Sequence, residues 1–428
     1  MHHADLLQVL IIGGGPAGIA AALQLQKANN IKPVIYETRT EPTTLGGALG
    51  IPSNGSRLLE RLGLWDELLA RGSTGSELAV HSVKGHVIGT MDMTGWSKGK
   101  TGFGYMRIRR VELMEVLMNA AQKASIPIHF DKKLVSINEH DGKVTATFAD
   151  GTSDTGDLLI GCDGIHSAVR TKYIDPDIVP EYSGISNVFS IVPTSELPPE
   201  ASTLQGINAT LTTDGLIALT PCTAAQDNIY WFFSREVKMP DSSNTRDGWE
   251  QHGKKEVDEF KSTMTGYLKD LRGDWGDMLR QVVNQTSVVK FYPIFRLPLG
   301  GKWSKGRCLI IGDAAHAMQP HASQGVSMAL EDAFLLSRIL REKPEYTVAD
   351  TFRVYDERRR PRVDEMVKTA ERNGGVRKQT SPWKLAVNEK VATGALWAYQ
   401  AFGLEKFGLG QKPLAYDPGE ENIDLHRA

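Results

Sequence analysis

Three short apolar runs constrain this chain more than any other feature. Leu6 to Ile12 (LLQVLII) runs into Gly13, Leu158 to Ile160 into Gly161 and Cys162, and Cys308 to Ile311 (CLII) into Gly312. A run that is apolar at every position, rather than at alternate ones, suits a strand of a parallel sheet whose two faces are both covered by helices. All three are therefore expected in one sheet. The stretch after the first, Pro16 to Ala28, is rich in Ala and Leu with Ile19 and Leu23 four apart, which predicts a helix crossing back over that sheet. Pro33 to Glu37 (PVIYE) then supplies the next strand of a strand–helix–strand unit.

Elsewhere the periodicity changes. Between residues 134 and 162, alternation is punctuated by Asp141-Gly142 and Asp150-Gly151, two hairpin-turn dipeptides, so a small antiparallel meander leads into the second apolar strand. From about Tyr182 to Pro298 the pattern is antiparallel β, at Val188 to Val192, Leu216 to Leu219, Ile229 to Phe233 and Val288 to Phe295. A charged helical stretch, Lys254 to Val283, interrupts it. Leu78 to Ile88 adds strands to the same region, and helices are expected through Leu330 to Leu340 and Arg353 to Lys368. The tail from Pro382 to Phe407 carries Trp383, Leu385, Leu396, Trp397 and Tyr399 among polar residues and reads as an amphipathic packing helix.

Composition excludes several classes. Lys+Arg 49 against Asp+Glu 51 gives a net charge of −2, so no global field recruits nucleic acid or an anionic membrane. The basic runs Arg107 to Arg110 and Arg358 to Arg362 read as solvated helix faces or helix ends. Cys162, Cys222 and Cys308 are odd in number and far apart, which fits buried thiols in a reducing compartment and neither a disulfide frame nor a metal site. No apolar run reaches the roughly 18 residues of a membrane span, and the first strand starts too early for a cleavable leader. A cytoplasmic protein is expected.

The chemistry sits at the glycine ends. Gly13-Gly14-Gly15-Pro16-Ala17-Gly18 joins strand to helix, the context a dinucleotide fingerprint requires. Gly13 permits the tight turn, Gly15 the approach of a pyrophosphate, and Gly18 close packing of helix on sheet. Glu37 follows Gly13 by 24 residues, where a carboxylate accepts hydrogen bonds from ribose hydroxyls and disfavours a 2′-phosphate. The second run ends in Gly161 to Arg170 (GCDGIHSAVR), placing Asp163-Gly164 at a strand end, and the third ends in Gly312-Asp313. Ligands of open α/β sheets bind at the carboxyl ends of strands, so all three turns can meet one elongated cofactor. Asp313 is then placed to accept hydrogen bonds from a polyol such as a ribityl chain. Gln324-Gly325 starts a helix whose free N–H groups favour negative charge.

The glycine fingerprint, the Asp-Gly motif and the "GDAAH" motif occur in that order, with "RIRRVELMEVL" between them. Together they resemble the flavoprotein aromatic hydroxylases, which include para-hydroxybenzoate hydroxylase, salicylate hydroxylase and the tetracycline-modifying monooxygenases. The resemblance spans about residues 7 to 365. It implies an α/β protein: a Rossmann-like FAD-binding domain with a small antiparallel meander (1–75, 101–180 and 299–370), an antiparallel β-sheet substrate domain (76–100 and 181–298), and a C-terminal helical segment (371–428). It implies FAD, NADH or NADPH as electron donor, and O2, with an organic small molecule, aromatic or polycyclic, hydroxylated or epoxidised through a flavin C4a-hydroperoxide. Carried over by position, Glu37 would hold the adenosine ribose and Gly47, in "GGALGIPSNG", would lie by the cofactor. Arg110, three residues before Leu113, would contact it; Asp163 would serve FAD and the nicotinamide; Asp313 would bind ribityl; and Gly325 would face the flavin pyrimidine edge.

Two departures qualify this pattern. Many relatives carry Gly-Gln-Gly and then Asn two places on, where this chain has Ser323-Gln324-Gly325 and Ser327, which leaves a backbone contact at Gly325 but not a side-chain contact at 327. His321 occupies a variable position and receives no role, and His316 reads as a structural hydrogen-bonding histidine. On the substrate side, His81, His86, Tyr230, Tyr292 and Arg296 are candidates, but one sequence does not show which face lines a cavity, and no catalytic residue or metal ligand is assigned. Two other readings stand beside the monooxygenase. A flavin-dependent halogenase lacks its "WxWxIP" tryptophan pair here, and an FAD-containing redox or interaction module would show no substrate-dependent turnover. A homodimer is compatible with the sequence.

Overall fold

The computed structural model describes residues 8–42, 46–240 and 245–425. Leu6 and Leu7 of the first apolar run lie outside the described residues. The three glycine-ended runs do share one sheet. Its six strands run in the order Ser304–Lys305, Cys308–Ile310, Leu158–Gly161, Gln8–Ile12, Lys32–Tyr36 and Ile128–His129. Every pairing is parallel except that of the edge strand Ser304–Lys305. Register sets Ile11 beside Ile160, and Ile160 beside Leu309, so the three runs end together. Val9, Leu10, Ile11, Leu158, Leu159 and Leu309 are each 0% exposed, as burial on both faces demands.

The helix Pro16–Asn29 crosses this sheet with Gly18 to Ala22 and Leu25 buried. On its other side packs the helix Gly325–Glu342, linked through Gln24 Nε2 to Ser337 Oγ at 3.2 Å. The expected meander is present as Leu134–His140, Lys143–Phe148 and Ser153–Gly156, with Asp141, Gly142 and Gly151 at positive φ in its turns.

A second sheet has seven strands in the order Lys290–Arg296, Glu181–Pro193, Asn228–Glu236, Gly215–Pro221, Ile207–Leu211, Glu77–His81 and Val87–Asp92. The sequence pattern did not reveal Ile207–Leu211, which pairs in parallel with Glu77–His81. The single helical stretch expected over 254–283 is three helices, Thr245–Asp258, Phe260–Tyr267 and Gly273–Gln285. Strand alternation sorts the two faces of this sheet. Val188, Ile229, Trp231 and Phe233 pack under Phe260, Met264, Leu279 and Val282. Phe189, Tyr230 and Phe232 point the other way and cluster with Ala48 and Cys222.

Two expectations need correction. The run Arg358 to Arg362 is not a solvated face: Arg359 is 0% and Arg362 6% exposed, because both reach inward to acids on the helix Gly325–Glu342. Arg107, in the other run, is also buried, at 7% exposed. The helix Pro382–Ala401 packs on Val87–Asp92 through Leu396 against Gly89 and buries Leu385 and Tyr399. Trp383 and Trp397 are 72% and 66% exposed, so the helix seats only one narrow edge. Among the described residues no helix is long and apolar enough to cross a membrane.

Candidate functional site

At the first turn the backbone itself dictates the residue type. Gly13 has φ +111°, and a Cβ there would stand 2.4 Å from the Cys162 carbonyl oxygen. A Cβ on Gly18 would stand 1.9 Å from the Gly13 oxygen, so helix and turn meet only as glycines. Gly15 differs, since a Cβ there would meet no atom of the described residues within 4 Å. Free space therefore begins where the helix N-terminus presents its N–H groups. Glu37, at the end of the next strand, accepts a hydrogen bond from Gly14 N at 2.7 Å and another from Arg39 N at 2.9 Å. A narrow hollow joins Gly14, Gly15 and Glu37 to Arg110, Met114 and Phe130. A groove of about 510 Å³ lined by Leu23, Lys27, Leu62, Leu64 and Ala124 sits toward the far end of the first helix and contains none of the sequence-predicted residues.

Asp163 is held by its own loop. Its Oδ2 accepts from Ala168 N at 2.6 Å and Val169 N at 3.2 Å, while the buried Oδ1 has no partner among the described residues. Burial raises its pKa, with the contacts to Ser167, Val169 and Ala168 partly offsetting. Arg170, 1% exposed, ties this loop to the next strand end by donating to the Ile165 and Ala314 carbonyls at 2.5 and 2.7 Å.

Asp313 follows Gly312, whose φ of +60° turns the chain out of the strand. Its side chain is exposed to a cleft yet walled in by protein. Burial raises its pKa, and Asp332 adds to the rise, while His316 and Arg110 oppose it. Tyr292 belongs to the second sheet and is 54% exposed, yet its phenol is raised by burial and by Asp313 and lowered by Arg110. Tyr292, from the second sheet, and Asp313, from the first, thus lie within electrostatic reach of each other and of Arg110 around this cleft. Among the described residues a Cβ on Gly325 would meet only Asp313 Oδ1, at 4.0 Å, so the N-terminus of the helix Gly325–Glu342 opens beside Asp313.

Beneath these turns lies a buried charged cluster. Asp332 accepts from Gly312 N at 2.8 Å and Arg359 Nε at 2.8 Å, and its Oδ2 is 2.7 Å from His316 Nε2. Burial alone would raise the Asp332 pKa, but His316 and Arg359 outweigh it and hold the carboxyl below its ordinary range. Glu331 takes Arg359, Arg362 and Asn54, and Asn54 also donates to Gln324 Oε1 at 2.9 Å. This cluster fixes Gly312-Asp313 and Gln324-Gly325 relative to each other. It bears out the structural reading of His316. Ser327 is buried with its Oγ against Gly55.

The structure thus brings Gly15, Glu37 and Arg110 to one hollow and sets Asp313, beside Gly325, within electrostatic reach of the same Arg110, while Gly13 packs on the Cys162–Asp163 turn and Gly18 on Gly13. Gly47 lies under Tyr230, whose Cε2 is 2.5 Å from where a Cβ would stand. His81 is packing, stacked on Trp275 at 3.9 Å, and Arg296 pairs with Glu181 and Glu371. The sequence reading missed Asn54, Glu331, Asp332, Arg359 and Arg362. The available signal was the acid pair Glu331-Asp332 inside the otherwise apolar "GVSMALEDAFLL", since acids on an all-round buried helix require buried cations.

These features fit FAD on structural grounds: two helix N-termini open to free space, a carboxylate between them, and a second carboxylate at the nucleotide end. The chain matches the family described as FAD binding domain over residues 6–264 and 299–370. It is 26% identical to 6-hydroxynicotinate 3-monooxygenase of Pseudomonas fluorescens over 378 residues, covering 88% of this chain and 93% of that protein. In fold it is similar to HpxO of Klebsiella pneumoniae complexed with FAD and uric acid, with a TM-score of 0.78 at 21% identity, covering 95% of this chain and 97% of that one. A salicylate hydroxylase substrate complex gives a TM-score of 0.73 at 20% identity, covering 97% of each chain.

Proposed function

The chain belongs to the FAD binding domain family and is an FAD-dependent monooxygenase, and on that premise we propose that it hydroxylates an aromatic or heteroaromatic small molecule, with NADH or NADPH and O2 as co-substrates. The observation that carries this reading is that Gly15 shares a hollow with Arg110, and that Asp313, beside the uncrowded Gly325, and Tyr292 of the second sheet lie within electrostatic reach of the same arginine. Bound FAD supplies hydride acceptance and oxygen activation. The rest is the work of the chain. With FAD bound, Glu37 would hold the adenosine ribose, Asp313 would accept from the ribityl hydroxyls, and the Gly325 helix terminus would stabilise negative charge at the ring edge. Arg110 neutralises charge between them. The second sheet contributes Phe189, Tyr230 and Phe232, whose rings exclude water from the reacting face.

Substrates of the relatives support the substrate class, since each is a hydroxylated or oxo-bearing ring: 6-hydroxynicotinate, uric acid and salicylate. We assign 1–75, 101–180 and 299–370 to the cofactor half, 76–100 and 181–298 to the substrate half, and 371–428 to a C-terminal segment; the membership of the two large sheets supports this division. A homodimer through the exposed Trp383, Val387, Val391 and Trp397 and a cytoplasmic location, which three buried free thiols favour, complete the proposal. The test is a screen of phenols, hydroxypyridines and polyketides for stimulated NADH or NADPH oxidation, with products heavier by one oxygen atom drawn from labelled O2. A yellow, FAD-loaded protein that incorporates no labelled oxygen into any of them would overturn it.

A further inference from the structure

The strand Met106–Arg109 pairs with Ala48–Ile51, and its alternation splits four residues between two environments. Met106 and Ile108 enter the main core, so Arg107 and Arg109 face the second sheet. Arg109 is matched there by Glu112, which also takes Arg71 at 2.8 Å. Arg107 has no such match. It is 7% exposed, its Nε is buried without a partner, and no carboxylate among the described residues lies within 4.0 Å of it. Its guanidinium sits 5.4 Å from the Tyr105 ring centroid and 6.0 Å from that of Tyr230.

Burying an uncompensated charge is costly, and stacking on two rings returns only part of that cost. A second orphan adjoins it: the Tyr105 hydroxyl is also buried without a partner among the described residues. That hydroxyl and Ser323 Oγ crowd the same side of Gly50, 2.2 and 2.8 Å from where a Cβ would stand. Ser323 leads directly into Gln324-Gly325. Tyr105 therefore spans from Arg107 at one end to the rim of the cofactor cleft at the other. The wall beside it is Tyr230, Phe189 and Cys222. Burial pushes the Cys222 thiol of this wall up to about 12, with the positive charges of Arg109 and Arg107 opposing the rise.

We propose that Arg107 is the anion anchor of the substrate site and selects an aromatic carboxylate, with the Tyr105 hydroxyl donating to the same ligand. The proposal rests on the monooxygenase reading and deepens it. A carboxylate supplies the counter-charge that the chain withholds from Arg107 while matching Arg109 nearby. The aromatic rings on either side suit a flat ligand.

The test uses FAD-loaded enzyme and titration calorimetry with two matched pairs of probes: salicylate against phenol, and 6-hydroxynicotinate against 2-hydroxypyridine. Wild type is expected to bind each carboxylate at least tenfold more tightly than its neutral counterpart. Arg107→Gln is expected to abolish that preference with FAD content unchanged, and Arg107→Lys to restore part of it, raising KM more than it lowers kcat. Should Arg107→Gln not fold, Arg107→Lys and Tyr105→Phe, each weakening carboxylate binding alone, carry the test. A wild type with no carboxylate preference, or an Arg107→Gln that retains it, overturns the proposal while leaving the monooxygenase reading intact. Loss of FAD from Arg107→Lys also overturns it, by assigning the arginine to the cofactor. A wild type that takes up no FAD refutes the underlying reading instead.

Discussion

Arg359→Met tests whether the buried charges hold the cofactor-facing turns in place. Arg359 and its two acids are 0% exposed, with Nη1 2.8 Å from Glu331 Oε2 and Nε 2.8 Å from Asp332 Oδ1. Methionine fills much of the volume but leaves Arg362 as the remaining cation on Glu331 and His316 as the remaining cation on Asp332. Removing one partner from a buried pair typically costs about 3–5 kcal/mol. The pH dependence has a definite sign. In wild type the folded pKa of Asp332 is depressed, so its stabilisation is present above the unfolded value of about 3.9 and is lost as pH falls below that toward the folded value. Without the guanidinium, one of the causes that outweigh burial is gone and the folded pKa rises. The variant's penalty is then full at high pH and shrinks as pH falls through that raised value. Urea unfolding followed by circular dichroism should show a deficit of about 3–5 kcal/mol at neutral pH, narrowing on acidification. Because Asp332 also accepts from Gly312 N, FAD retained after gel filtration should fall in parallel. A variant within about 1 kcal/mol of wild type at neutral pH, with full FAD, would show that the cluster does not position the turns.

Three further outcomes follow from the cleft. Asp313→Asn is expected to fold but to purify with little flavin, read from the visible absorbance. Since the Asp313 pKa is raised, its penalty to the apo fold is full above that raised value and gone below the unfolded value of about 3.9, so the apo variant should melt no lower than apo wild type at neutral pH. Gly13→Ala should lose both Tm and FAD, because strain of about 1–3 kcal/mol adds to a 2.4 Å clash with the Cys162 carbonyl oxygen. Glu37→Ala removes charge-assisted hydrogen bonds worth about 1.5–3 kcal/mol each, so calorimetric titration of the apo protein should give an FAD Kd at least about tenfold weaker.

Local signals carried the fold and half of the site. Continuous apolarity identified the parallel strands, and the glycines identified the turns, because both requirements are met within a few residues: Gly13 and Gly18 are forced by atoms that the turn itself brings close. Asp313 was legible for the same reason, as a charge placed where a buried strand ends. Arginines carry no such local mark. Arg107 and Arg359 each lie in a basic run that reads as solvated, and nothing adjacent in sequence distinguishes them from Arg358, which is only half-buried. Their surroundings are set by partners far along the chain, Glu331 and Asp332 for one and Tyr230 for the other. The Trp383 and Trp397 surfaces were misjudged likewise, since an amphipathic pattern states that a helix has an apolar face but not what covers it.

The two buried arginines then separate by charge balance alone. Arg359 faces two acids that also hold backbone and side-chain donors of the turns, so its charge is spent inside the protein, on rigidity. Arg107 has aromatic rings and no acid among the described residues, so its desolvation is left uncompensated by the fold. A chain that had only to fold would do better with an apolar side chain at 107, as it has at 106 and 108. The charge at 107 is accounted for once an anion arrives there, and that places the unmet electrostatic demand of this molecule on the wall facing its cofactor cleft.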